Sequence, residues 1–135
     1  MAGIAIGDGG PRKLPLSTAY RAGDLIFVSG QVGFGADGKL VAGGIEAETR
    51  QTLDNIAAVL QQAGASLADV VKVTVWMADL DEFAAFNAIY ATYFPKAPPA
   101  RSTVQAGLMI GARVEIEAVA MPRVSRRSRI RQRRG

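Results

Sequence analysis

The chain has 135 residues, the size of a single domain, and 49% of them are apolar, enough for a hydrophobic core. It contains no Cys and no His, which excludes disulfides, thiol catalysis, thiolate metal sites and Ser-His-Asp triads. Proton transfer is then left to a carboxylate, Tyr, Lys or the backbone. No apolar run is long enough to span a membrane, and no secretory signal pattern is present. We therefore expect a cytoplasmic protein that does not bind membranes.

The charge is divided unevenly along the chain. Residues 1–122 contain nine Lys and Arg and twelve Asp and Glu, a net charge of −3. Residues 123–135 contain seven Arg and no acidic residue, a net charge of +7. We predict a mildly acidic domain over 1–122 and an Arg-rich, disordered tail over 123–135. Clustered arginines bind phosphate non-specifically, so the tail is a candidate nucleic-acid contact, although a solvated tail is the simpler interpretation.

The apolar periodicity predicts an α+β fold. Residues 1–16 are rich in Gly and Pro and are predicted to be an irregular lead-in. Apolar residues recur at helical spacing from Leu53 to Leu60, whereas Val70–Met77 alternates and is β-branched. Strands are predicted at 19–21, 25–29, 70–77, 102–106 and 113–121, and helices at 46–63 and from Asp79 or Asp81 to the residue before Pro95. The order β-β-α-β-α-β-β places two helices on one face of a sheet.

Glycines follow the second predicted strand. Gly30 and Gly33 do not have the spacing of a dinucleotide-binding fingerprint, and no helix follows them directly. We interpret them as turn residues or as positions where the backbone approaches a ligand closely. The pair at 37–38 predicts a tight turn. The acidic cluster at 79–82 is typical of a helix N-terminus, and no metal site is expected there.

Two charged residues near the end of the predicted domain are candidates for chemistry. Arg101 opens a predicted strand, and Glu115 lies near the start of the next one. Arg is a permanent, planar cation that binds a carboxylate bidentately, and Glu can hold or activate a water. Each also has an ordinary interpretation. Arg101 suits a solvated strand edge, and Glu115 alternates with Arg113 and Glu117 as on an exposed strand face.

Several segments together resemble the RidA (YjgF) family of small imine deaminases. The similarity covers residues 14–122. The matching segments, in order and spacing, are Leu14–Ser17, Arg21–Gln31, Thr52–Asn55, Val71–Val75, Phe86–Tyr90, Pro99–Ser102 and Val114–Ala118.

This resemblance implies a chorismate-mutase-like fold with a mixed sheet, assembled as a homotrimer around a central barrel. Ligand clefts would lie between adjacent subunits. Arg101 would clamp the carboxylate of an enamine or imine acid, and Glu115 would serve the hydrolytic water. Orientation and proton transfer suffice for such reactive imines, so no cofactor or metal is expected. The other positions that match cleft residues are Ser29, Gly30, Asn87, Thr103 and Leu16.

Two of these positions, Asn87 and Leu16, are weaker matches to a ligand cleft. Asn is a mediocre helix former, so Asn87 is either retained for its amide or simply faces solvent. Leu16 stands where the best-known members have a tyrosine, which removes a hydroxyl and makes the cleft more apolar.

We therefore predict cofactor-independent hydrolysis of enamine and imine acids, such as 2-aminoacrylate and 2-iminopropanoate, to a keto acid and ammonia. Leu16 leaves open a second interpretation, a non-catalytic regulator that binds a small carboxylate ligand. The Arg-rich tail leaves open a third, an RNA-interacting or ribonuclease-like protein, because ribonuclease activity is attributed to some relatives.

Overall fold

The computed structural model describes residues 3–10 and 12–123. They form six β-strands, two α-helices and three short 3-10 turns. The strands are β1 (Ile4–Ile6), β2 (Ala19–Ala22), β3 (Leu25–Gln31), β4 (Val70–Met77), β5 (Ala100–Gln105) and β6 (Val114–Ala120), and the helices are α1 (Gly44–Gln62) and α2 (Phe83–Tyr93). The predicted tail lies outside the described residues apart from Arg123, whose Nε lies 3.7 Å from Asp69 Oδ1.

One mixed sheet carries all six strands, in the order β1-β2-β3-β6-β4-β5. Strands β4 and β5 are parallel, and the other neighbours are antiparallel. A parallel pair requires a crossover connection, which α2 supplies here. The last strand, β6, is inserted between β3 and β4, so its inward residues Val114 and Ile116 are completely buried.

The hydrophobic core lies between one face of this sheet and the two helices. Every second residue of β6, and of β4 from Val73 onwards, is buried, because successive strand side chains point to opposite faces. The buried strand residues Val73 and Val75 belong to the same cluster as Leu53 of α1 and Phe86 of α2. The predicted α+β arrangement with two helices on one sheet face is therefore confirmed. Neither described helix combines the length and apolar character needed to cross a bilayer.

The predicted irregular lead-in is wrong in one respect. Ile4–Ile6 forms β1, which pairs antiparallel with β2 through Ile4↔Arg21 and Ile6↔Ala19. A strand of three residues is too short to show a period in the sequence. Its backbone hydrogen bonds with β2 decide its conformation.

The second helix begins later than predicted. The Asp79 side chain accepts a hydrogen bond from the backbone N–H of Asp81 at 2.9 Å and caps the 3-10 turn Leu80–Glu82. Helix α2 starts only at Phe83. Asp79 is therefore a capping residue as predicted, but of the short turn that precedes the helix.

Candidate ligand-binding site

Arg101 lies on β5 with its guanidinium surrounded by aromatic rings of α2. Its Cζ is 4.7 Å from the ring centroid of Tyr90, 5.4 Å from that of Phe86 and 5.7 Å from that of Phe83. Aromatic faces attract a cation without neutralising it. No ion pair among the described residues includes Arg101. The half-buried guanidinium is therefore oriented and available to an anion, unlike a solvated charge at a strand edge.

A groove of about 420 Å³ opens beside this guanidinium. We call it the Arg101 groove; it is lined by Asn87, Tyr90, Ala91, Phe94, Pro98, Pro99 and Arg101. Buried polar atoms normally have hydrogen-bond partners. The buried hydroxyl of Thr103 has none among the described residues. Thr103 lies two residues after Arg101 on the same strand face, so its hydroxyl lies on the face of β5 that carries the cation.

Tyr90 is the functional candidate that the sequence analysis missed. Its ring belongs to the apolar face of α2, so the sequence pattern only indicates a core residue. Burial raises the pKa of the Tyr90 phenol above its ordinary value, and the positive charge of Arg101 and hydrogen bonding with its side chain oppose that shift. The hydroxyl therefore stays protonated at neutral pH and is a hydrogen-bond donor next to the guanidinium.

Glu115 lies on β6 with its carboxylate against the backbone of Gly30. A Cβ atom on Gly30 would stand 2.5 Å from Glu115 Oε2 and 3.0 Å from its Cδ. Burial, and then the neighbouring charge of Glu117, raise the pKa of the Glu115 carboxyl. Both effects disfavour the charged form. A carboxylate with a raised pKa is a better proton acceptor, which suits a general base.

Gly30, in β3, and Gly33, just after it, provide close packing and are not needed for left-handed turns. Neither residue has a positive φ. A Cβ on Gly33 would lie 3.1 Å from the Cα and the carbonyl oxygen of Glu48 on α1. Both glycines therefore allow close approach of other protein atoms, and the predicted approach to a ligand stays a prediction. The predicted tight turn at 37–38 is confirmed by Gly38, whose φ is +75°.

Arg101 and Glu115 lie on opposite faces of the sheet. On β4, Arg101 pairs with Val73, and Glu115 pairs with Trp76. Positions an odd number apart on a strand point to opposite faces. Arg101 therefore faces the helices, whereas Glu115 shares the open face with Trp76. The two predicted catalytic residues do not meet within one chain.

A second cavity, of about 310 Å³, lies beside Gly30, the residue against which Glu115 packs. We call it the Leu16 pocket; its lining includes Arg12, Leu14, Leu16, Thr18, Gly30, Gln31, Val32, Phe34 and Asn55, with further glycines and Ala36. Ser29 does not line this pocket but forms hydrogen bonds with the segment that does. Its Oγ donates to the Ser17 carbonyl at 2.6 Å, and its backbone N–H donates to the Thr18 carbonyl. Ser29 therefore holds the segment that carries Leu16.

The loop that forms the far wall of the Leu16 pocket is held by α1. The Asn55 side-chain amide donates to the carbonyl oxygens of Val32 at 3.1 Å and Phe34 at 3.0 Å, and its oxygen accepts from Gln51. The sequence placed Asn55 in a helix and gave no sign of this contact. It depends on which face of α1 meets the loop.

A buried carboxylate anchors the start of β6. Glu48, 5% exposed, accepts a hydrogen bond from the backbone N–H of Arg113 at 2.9 Å. The Arg113 side chain lies 3.6 Å from Glu48 and 3.0 Å from Glu82. This network ties α1 and the turn before α2 to the residue that precedes β6. It sets the position from which Glu115 projects two residues later.

The predicted site residues therefore divide into two groups that lie apart in one chain. Arg101, Asn87 and Thr103 lie on the helix side of the sheet. Glu115 lies on the other side against Gly30, and Gly30 and Leu16 both line the Leu16 pocket. No group of three or more described acidic residues is close enough to hold a metal ion.

Comparison with known families shows which family the chain belongs to. Residues 11–122 match the family described as endoribonuclease L-PSP. The chain belongs to this family, the YjgF/RidA family. The resemblance drawn from the motifs is thereby confirmed.

Curated members of the YjgF/RidA family are similar over most of the chain. A mouse protein named 2-iminobutanoate/2-iminopropanoate deaminase is 45% identical over 109 residues, which are 79% of this chain and 81% of the mouse protein. An Arabidopsis thaliana protein named Reactive Intermediate Deaminase A, chloroplastic, is 44% identical over 108 residues, 78% of this chain and 58% of that protein. Because one relative is named for the chloroplast, a cytoplasmic location for this chain remains a prediction.

Solved structures of the YjgF/RidA family share the fold. The yeast protein YEO7 superposes with a TM-score of 0.84 at 39% identity, covering 90% of this chain and 99% of the yeast chain. The YjgF gene product of E. coli superposes with a TM-score of 0.78 at 34% identity, covering 86% and 95%.

Proposed function

We propose that this YjgF/RidA family protein hydrolyses enamine and imine acids, such as 2-aminoacrylate and 2-iminopropanoate, to a keto acid and ammonia without a cofactor. The observation that carries the proposal is that Arg101 and Glu115 each have the properties that one part of this reaction needs. Arg101 is an oriented cation that has no acidic partner among the residues that the structure describes, and it is suited to bind the substrate carboxylate. A carboxylate with a raised pKa, Glu115, is suited to activate water.

The proposal requires a second subunit, because one chain holds the two groups on opposite faces of its sheet. We propose a homotrimer in which the Arg101 groove of one subunit meets the Leu16 pocket and Glu115 of the next. The open sheet face supports this assembly. Phe27 and Val104 are 44% and 46% exposed there, and a sheet with one uncovered apolar face normally packs on a second layer.

The chemistry needs only addition of water and loss of ammonia. The imine acid binds through its carboxylate to Arg101, with Tyr90, Asn87 and Thr103 as neighbouring polar groups. The imine reacts in its protonated, iminium form. Glu115 takes a proton from water as the oxygen attacks the iminium carbon, which gives a neutral carbinolamine. The protonated Glu115 donates that proton to the amino group, and the carboxylate then takes the proton of the carbinolamine hydroxyl as the C–N bond breaks and the C=O bond forms. Ammonia and the keto acid leave, and Glu115 passes its proton to ammonia or solvent, which regenerates the carboxylate.

An assay for ammonia release tests the reaction directly. Imines generated freshly by an amino-acid oxidase should lose ammonia faster with the protein than in buffer alone. Hydrodynamic measurement at micromolar concentration should give about three times the mass of one 14.2 kDa chain. A clean monomer would contradict the shared cleft, and an unchanged rate of ammonia release would contradict the deaminase.

Two alternatives make different predictions in the same experiments. A non-catalytic regulator would be stabilised thermally by 2-keto acids without accelerating ammonia release. A ribonuclease-like protein, as the family description "endoribonuclease L-PSP" suggests, would cleave RNA. RNA binding through the Arg-rich tail would be steeply salt-dependent and lost when residues 124–135 are removed.

A further inference from the structure

Arg12 is the charged residue of the Leu16 pocket. The described residues that line this cavity include apolar side chains and glycines, and Arg12 alone among them carries a formal charge. Its Cζ lies 4.7 Å from the ring centroid of Phe34, which also lines the pocket. No ion pair among the described residues includes Arg12. The Leu16 pocket therefore contains the Arg12 cation, which contacts the aromatic ring of Phe34.

The contact with Phe34 leaves the N–H donors of the Arg12 guanidinium available. Arg has five such donors in the plane of the group, and no side-chain hydrogen bond among the described residues uses those of Arg12. Phe34 is itself held in place, because Asn55 donates to its carbonyl oxygen. The aromatic support for Arg12 is therefore tied to α1 and does not depend on the exposed lead-in alone.

The rest of the pocket favours methylene groups over polar ones. Leu14, Leu16 and Val32 supply apolar surface. The side-chain nitrogen of Asn55 already donates to two carbonyl oxygens of the loop. A ligand that reaches from the Glu115 side past Leu16 towards Arg12 would then have an apolar middle and an anionic end.

We propose that Arg12 determines specificity by binding a second carboxylate, at the end of the substrate side chain. Resting on the proposed function, this assigns the protein a preference for dicarboxylic 2-imino acids, such as the imine of glutamate. Neutral side chains would gain only the apolar contact with Leu16. Cationic side chains would be repelled by Arg12, so that selectivity comes from attraction and repulsion together.

The test compares imines generated from glutamate, norvaline and arginine, whose side chains are acidic, neutral and cationic. For the wild-type protein we expect kcat/KM to be highest for the glutamate imine and lowest for the arginine imine. Arg12→Gln should lower the ratio of glutamate to norvaline kcat/KM by about tenfold, the value of one charge-assisted hydrogen bond at a partly exposed site. Arg12→Glu should reverse the order of the glutamate and arginine imines.

Lys13→Glu is the matched control. Lys13→Glu changes the charge by the same amount as Arg12→Glu, at the next residue of the chain. Lys13, however, does not line the Leu16 pocket. This variant should leave the glutamate-to-norvaline ratio within about twofold of the wild-type value, because an exposed charge outside the pocket is screened by solvent. If the glutamate-to-norvaline ratio of kcat/KM is equal in the wild-type protein and Arg12→Gln, the proposed role of Arg12 is wrong. The proposed deaminase activity would still stand, provided that the norvaline imine is hydrolysed.

A binding measurement decides the role of Arg12 even if no imine is hydrolysed. Calorimetric titration with 2-oxoglutarate and 2-oxopentanoate compares a dicarboxylate with a monocarboxylate of the same chain length. A preference of about tenfold for 2-oxoglutarate that disappears in Arg12→Gln supports the second carboxylate site. Equal affinities for the two acids in the wild-type protein would refute it.

Discussion

The Glu115 carboxylate occupies the space that a side chain at position 30 would need. Glu115 Oε2 would lie 2.5 Å from a Cβ on Gly30, closer than non-bonded atoms approach. Gly30 is therefore required by the position of Glu115 and not by a backbone conformation, since its φ is not positive. This relationship links a residue of β3 to the proposed general base on β6.

Gly30→Ala should displace the Glu115 side chain while the fold is kept. We expect ammonia release to fall about tenfold or more, because a general base acts only within hydrogen-bond reach of its water. Gly107→Ala is the matched control, since a Cβ at Gly107 meets nothing within 4 Å and its φ is not positive. If both variants keep full activity, the position of Glu115 does not matter for turnover.

Arg101→Lys keeps the positive charge but loses the planar fork and the stacking on Tyr90. We expect kcat/KM to fall about tenfold or more, since each charge-assisted hydrogen bond contributes about 1.5–3 kcal/mol. Arg50→Lys, at an exposed position of α1, is the control and should have little effect. Wild-type kinetics in Arg101→Lys would exclude a bidentate carboxylate clamp.

Glu115→Gln should abolish turnover and stabilise the fold. Gln is nearly isosteric but accepts no proton, so kcat should fall about 10²-fold or more. The pKa of Glu115 is raised in the folded protein, so its contribution to stability declines as pH rises through that pKa, and the charged form costs stability at neutral pH. Thermal unfolding at pH 7 should therefore show a higher Tm in Glu115→Gln.

The side-by-side control is Glu117→Gln. It should retain most of the activity of the wild-type protein near neutral pH, because Glu117 acts only through its charge. Loss of turnover in Glu117→Gln, with activity kept in Glu115→Gln, would show that the wrong glutamate has been assigned.

The pH dependence of kcat/KM should shift in Glu117→Gln. The negative charge of Glu117 helps to raise the pKa of Glu115, so its removal lowers that pKa. Because the deprotonated form of Glu115 is the active one, the acid limb of the profile should move to lower pH. An acid limb at the wild-type position would mean that a group other than Glu115 controls it.

Mixing two impaired variants should restore activity if the cleft is shared. Arg101→Lys subunits keep Glu115, and Glu115→Gln subunits keep Arg101. In hybrid oligomers formed by co-refolding equal amounts, about a quarter of the clefts would combine both intact residues, since each cleft draws one residue from each of two neighbours. Activity no higher than the mean of the two separate variants, with oligomers formed normally, would place the reaction within one subunit.

The sequence by itself determined most of the strands and helices of this protein and its family. Alternation in 70–77 is a local property, and it located β4 without error. Arg101 and Glu115 taken alone had ordinary interpretations, and they became candidates for catalysis because several segments in order and spacing resemble one family.

Only the tertiary structure decided how these residues are related. That Arg101 and Glu115 face opposite ways follows from the pairing of β5 and β6 with β4, and strand pairing joins segments far apart in sequence. The same holds for β1, for the contact of Glu115 with Gly30, and for Arg12 on Phe34. Each of these depends on long-range packing, which leaves no period or spacing in the chain to read.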